Sequence, residues 1–110
     1  MEQDDKNPMG FIQYGNAQFY MPPIFGGSKK EALEYFLKAL NLMEQDKSKL
    51  ANDWNYLSLL ALIGRSYEET EQFDKAEFYY NKSLKAEPNF LWVIDELYPQ
   101  LIKKMNLSDE

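Results

Sequence analysis

Apolar residues recur at intervals of three and four along most of this 110-residue chain, the period of one face of an α-helix. Phe11, Tyr14, Gly15, Gln18 and Phe19 mark a first segment. Asn7-Pro8 opens it, with asparagine as N-cap and proline at the first helical position, where its missing N–H costs nothing. The segment is expected to run to about Tyr20 and to stop at Pro22-Pro23, with Ile24-Phe25-Gly26-Gly27 as a loop. Ser28 and Glu31 form a capping box for a second helix with the stripe Ala32, Leu33, Phe36, Ala39, Leu40 and Met43. Polar residues from Gln45 to Asn52 read as a connector. Asp53 then caps a third helix carrying Trp54, Leu57, Leu60, Ala61, Gly64 and Tyr67. After a turn near residues 70–72, Phe73, Ala76, Tyr80 and Leu84 define a fourth helix, closed by Pro88. Asn89 caps a fifth, bearing Trp92, Val93, Glu96 and Leu97, which Pro99 is expected to kink or split before Leu101, Ile102 and Met105. Residues 1–6 and 107–110 read as disordered ends flanking a single domain over 7–106. No stretch alternates strictly enough to call for a strand. The chain reads as all-α.

Composition narrows the chemistry. An apolar share of 45% and an aromatic share of 15% suffice for a packed core, so wholesale disorder is excluded. The chain holds no cysteine and no histidine. That removes disulfides, Cys/His zinc sites and every mechanism needing a thiolate or an imidazole base. Twelve Lys+Arg against eighteen Asp+Glu give a net charge of −6, which leaves no cationic surplus to track nucleic-acid phosphates. Apolar runs are only a few residues long, so membrane insertion is not expected, and a soluble cytoplasmic or periplasmic setting is. Neither a Gly-rich phosphate loop nor a metal-ligand cluster is present, and the expectation is a non-enzyme with no cofactor.

Two helix pairs can be laid over each other. In residues 57–90, Leu60-x2-Ile63-Gly64-x2-Tyr67 is followed by Ala76, then Tyr80, then Pro88. This spacing resembles the tetratricopeptide repeat, with its W-x2-L-G-x2-Y, A-x3-F and P positions. Gly64 and Ala76 are small where antiparallel helices approach most closely, and Tyr67 and Tyr80 fill the space beside them. An earlier copy over 8–45 is looser: Phe11, Tyr14 and Gly15 match the first helix and Ala32, Phe36 and Ala39 the second. Its turn carries about five extra residues, Gln18 stands for the expected Tyr, and Glu44 for the Pro. Gly15, Phe19-Tyr20, Pro22, Phe25-Gly26-Gly27, Trp54, Phe90 to Val93 and Pro99 together look like a group of small bacterial tetratricopeptide proteins. The resemblance implies a right-handed α-solenoid of two antiparallel helix pairs plus a C-terminal capping helix at 89–105.

The resemblance also implies a function and a face. Repeats of this kind form non-catalytic interaction or scaffold modules, and members that bind peptides do so on the concave side lined by each pair's first helix. The positions facing inward here are Ile12, Asn16 and Phe19, then Ser58, Ala61, Arg65 and Glu68. Family members that grip a terminal carboxylate have Asn and Lys/Arg where Asn16 and Arg65 stand, but the lysine one turn earlier is replaced by Ile12 and Ala61. The alternative is a surface Arg65 paired with Glu68 or Glu69. Ile24 and Phe25 in the inserted loop either offer an apolar hook to a partner or fold back over the first helix pair. The aromatic stripe of Phe11, Tyr14, Phe36, Tyr67, Phe73 and Tyr80 is core, and Trp54 and Trp92 read as packing anchors at repeat junctions. Glu68, Glu69, Glu71 and Asp74 read as a solvated charged face, since no calcium-loop spacing accompanies them. Adjacent Asp95 and Glu96 point in different directions and cannot serve as an acid–base pair. The competing function is a structural element that self-associates as a homo-oligomer or docks onto other segments of a larger protein, because two repeats are few for a solenoid standing alone.

Overall fold

The computed structural model describes residues 7–45 and 53–108. The ends at 1–6 and 109–110 and most of the 45–52 connector lie outside the described residues. Helices α1 (Pro8–Tyr20), α2 (Lys29–Glu44), α3 (Trp54–Glu69) and α4 (Phe73–Ala86) are followed by a π-helical stretch, Trp92–Leu97, that runs directly into α5 (Tyr98–Ser108). Among the described residues there is no strand, and the fold is an all-α solenoid of tetratricopeptide type.

Three of the helix starts follow their capping residues. The Asn7 side chain accepts from the Met9 N–H at 3.0 Å, with Pro8 at the first helical position. Ser28 accepts from the Glu31 N–H at 3.1 Å. The Asp53 carboxylate accepts from the Asn55 and Tyr56 N–H groups at 2.8 and 3.4 Å. Each satisfies a donor that the first helical turn leaves open. The α3–α4 turn closes differently. Glu71 adopts a left-handed φ of 62°, and the Glu71 and Gln72 N–H groups donate to the Glu68 and Tyr67 carbonyls. That is a Schellman ending with a glutamate where glycine is usual.

The two pairs pack by the same device. The Phe36 ring lies over Gly15, and the Tyr80 ring over Gly64; a Cβ on either glycine would sit inside the ring's van der Waals envelope. Ala32 and Ala39 in α2, and Ala76 and Ser83 in α4, are fully buried at matching places. Leu59, Leu60, Ile63, Val93 and Leu101 continue the core toward the C-terminal end. The inserted turn of the first pair contains a 3-10 turn, Pro23–Phe25.

Two details differ from the sequence reading, and a third adds to it. Pro99 does not split the last helix. The wider π turns before it place the missing N–H and the ring where the helix has already loosened, so α5 continues through Ser108. Trp54 is no buried anchor: it is 65% exposed and meets Phe90 edge-on at 5.8 Å. Its place at the first helical position leaves most of the indole beyond the core. Tyr98 stands 34 residues after Gly64, one repeat length. Its half-buried ring lies 6.2 Å from that of Tyr80, and its hydroxyl donates to Glu77 at 2.8 Å.

Candidate functional site

Arg65 sits where α1, α3 and the π segment converge. Its guanidinium lies 4.8 Å from the Phe19 ring centre and 5.9 Å from those of Tyr20 and Trp92, and it donates to the Tyr20 hydroxyl at 3.2 Å. The three aromatic faces hold the planar cation through their quadrupoles without neutralising it. The expected pairing with Glu68 or Glu69 does not form, because Glu68 is occupied elsewhere. Only 5% exposed, it accepts from the Tyr80 hydroxyl at 3.1 Å and from the Lys104 ammonium at 2.7 Å. Glu69 lies 3.9 Å from the same lysine. Glu68 thus ties α3, α4 and α5 together as a structural carboxylate.

The other inward positions divide by burial. Ile12, Phe19 and Ala61 are buried in the core, while Asn16 and Ser58 are half-buried. Arg65 is the charged group among the inward positions that remains half-accessible. At the loop, Ile24 and Phe25 are 85% and 74% exposed, so they do not cover the first helix pair.

Lys29 is the site residue that sequence reasoning missed, since it read only as part of a capping box. Its ammonium lies 3.7 Å from the Phe19 ring centre and donates to the Phe19 carbonyl. Burial lowers its pKa; the nearby Glu69 charge opposes that shift and Arg65 adds to it. Lys29 and Arg65 line one cavity of about 230 Å³ together with Phe19, Tyr20, Pro22 and Gly27. Asn16 is not among its walls. The described residues contain no group of three or more metal-ligating side chains, and no described helix is long and apolar enough to cross a membrane.

The paired helices, the ring-over-glycine contacts and the 34-residue period define a class. Residues 57–90 match the family model of the tetratricopeptide repeat, so the α3–α4 pair is a tetratricopeptide repeat. Repeats of this family generally mediate protein–protein interaction or scaffolding. The chain is also similar to the uncharacterized protein ycf37 of Guillardia theta, 43% identical over 77 residues. The match spans 66% of this chain and 40% of that relative's length.

Proposed function

We propose that the chain is a non-catalytic module that binds a protein or peptide segment along the side of the stack where Arg65 stands. The observation that carries this reading is the state of that guanidinium: held by three aromatic rings, half-accessible, and outside every ion pair among the described residues. A planar cation fixed in this way meets an incoming acceptor with little ordering cost. Helices packed side by side also make an extended wall, which suits a segment of chain better than a small substrate. The test is photo-crosslinking in cells with benzoylphenylalanine at position 58, on the Arg65 side, and at position 78 on α4. Adducts from 58 that vanish in Arg65→Glu, with the helical circular dichroism unchanged, are expected. Adducts from 78 alone would place the partner on the other face and defeat the proposal.

A second reading is self-association through the C-terminal end. Leu91 and Leu107 are each 63% exposed there, and Ile94 and Ile102 about 40%. A mass that rises with concentration and reverts in Ile102→Lys supports that reading; a constant monomer mass removes it.

A further inference from the structure

We propose that the cavity between the inserted loop and α3 takes the carboxylate of an acidic residue in a bound protein segment, while an apolar neighbour of that residue rests on Ile24 and Phe25. This rests on the reading that the chain binds a protein segment, and it names what that segment must carry.

The charge argument comes first. On a chain of net −6, two cations share one cavity wall, and neither Lys29 nor Arg65 takes part in an ion pair among the described residues. Two like charges held against one aromatic ring repel each other; the Glu69 charge offsets part of this at Lys29 without pairing with either cation, and an anion between them relieves the rest. Lys29 is half-buried, with its ammonium over the Phe19 ring and donating to the Phe19 carbonyl. Part of the desolvation cost of binding an anion is therefore met in the fold itself, and burial lowers the Lys29 pKa accordingly. Arg65 spends one N–H on Tyr20 and keeps the rest of its planar fork for a bidentate acceptor. At about 230 Å³ the cavity exceeds the ~30 Å³ share of a liquid water several-fold, room for a carboxylate and the stem that bears it.

The loop supplies the apolar half. Gly26 holds φ at 95°, and a Cβ on Gly27 would collide with the Met21 backbone carbonyl. Pro22 accepts from the Phe25 and Gly27 N–H groups at 2.9 and 3.1 Å, and Ser28 donates to Gln18 at 3.1 Å. Two prolines and four backbone hydrogen bonds, counting the Gly26 N–H to Pro23 at 3.0 Å, give the turn one path. Ile24 and Phe25 are therefore presented to solvent in a fixed position on the turn whose Pro22, Pro23 and Gly27 line the cavity, which lowers the entropy lost on contact. A free inorganic anion uses the cations and ignores this surface. A carboxylate next to an apolar side chain uses both.

The experiment pans a random dodecapeptide display library against the full chain and then titrates the best synthetic peptide by fluorescence anisotropy. Expected winners carry Asp or Glu beside Phe, Leu, Ile or Trp. Their affinity should fall about tenfold on changing the peptide acid to its amide, and about tenfold in Lys29→Gln and in Arg65→Gln, the worth of one charge-assisted hydrogen bond. The doubly exposed pair Ile24→Ser and Phe25→Ser should weaken binding with an unchanged melting temperature. Winners without a carboxylate, or affinity indifferent to Lys29→Gln, overturn the inference. If such winners still depend on Arg65, the broader reading survives. Absence of any winner overturns the inference alone when position 58 still gives adducts, and overturns both readings when it does not.

Discussion

Replacing a helical glycine by alanine ordinarily stabilises a protein. Alanine limits the unfolded chain and is better by about 1 kcal/mol in a helix interior. Gly64→Ala should do the reverse here. An added Cβ meets Tyr80 Cδ1 at 2.6 Å and Cζ at 3.1 Å. The ring cannot swing away, because Tyr80 is fully buried and its hydroxyl is bonded to Glu68. Relief therefore requires α4 to retreat from α3, which opens the core around Ala76 and Ser83. Overpacking of this kind costs about 1–3 kcal/mol, and severe overlap belongs at the upper end. Subtracting the propensity gain leaves a net loss of about 2 kcal/mol. Gly10→Ala is the internal control, since nothing lies within 4 Å of a Cβ placed there in α1. It should be neutral or slightly stabilising. Thermal and urea melts of the two variants measure the difference; at roughly 4 °C per kcal/mol for a domain of this size, Gly64→Ala should melt about 8 °C lower. A Gly64→Ala protein that melts as high as Gly10→Ala would show that the ring-over-glycine contact does not set the helix spacing.

Alkaline pH should destabilise the fold through its buried tyrosines. Tyr56 is pushed up to about 12 by burial and by its hydrogen bond to Glu44, and Tyr80 is raised by burial and the Glu68 charge. Unfolded tyrosines ionise near ~10, so the native state holds more protons above that pH; stability is complete below ~10 and falls as pH climbs toward the folded values. Urea midpoints across that range should decline, and less steeply in Tyr56→Phe. Lys104→Met should cost about 2 kcal/mol by leaving the Glu68 carboxylate buried on the Tyr80 hydroxyl alone, and Glu68→Gln in the same background should recover part of the loss in urea melts.

The elements that local chemistry dictates were legible in the sequence. Asn7, Ser28 and Asp53 announce helix starts because a short polar side chain before an apolar stripe has one efficient use there. Gly64, Ala76 and Tyr80 give away the helix pair because close approach demands small residues beside large ones. The α3 ending was harder, since Glu71 holds a left-handed conformation with no glycine to signal it. The site was less visible than the fold. Arg65 was found through its repeat position, but Lys29 faces it from 36 residues away across an inserted loop whose path no periodicity describes. The same distance in sequence hid the Glu68–Lys104 bond, so a structural carboxylate read as part of a solvated acidic face. Local patterns carry the helices. Pairings across the stack are set by helix rotation and loop path, which act only once the core has formed.

Tyr98 has a consequence for how such a stack can grow. It stands one repeat length after Gly64, at the place where the first two layers carry Gly15 and Gly64, and its ring lies back against α4, 6.2 Å from that of Tyr80. A helix laid on α5 in the way α4 lies on α3 would meet a Cβ at this position, where Gly64 offers Tyr80 bare backbone. The phenol is tethered to Glu77 on α4, which fixes the last helix to the layer before it. The array therefore has a direction. Its first two layers use the position to admit a partner helix at closest range, and the third uses it to hold the last helix to α4.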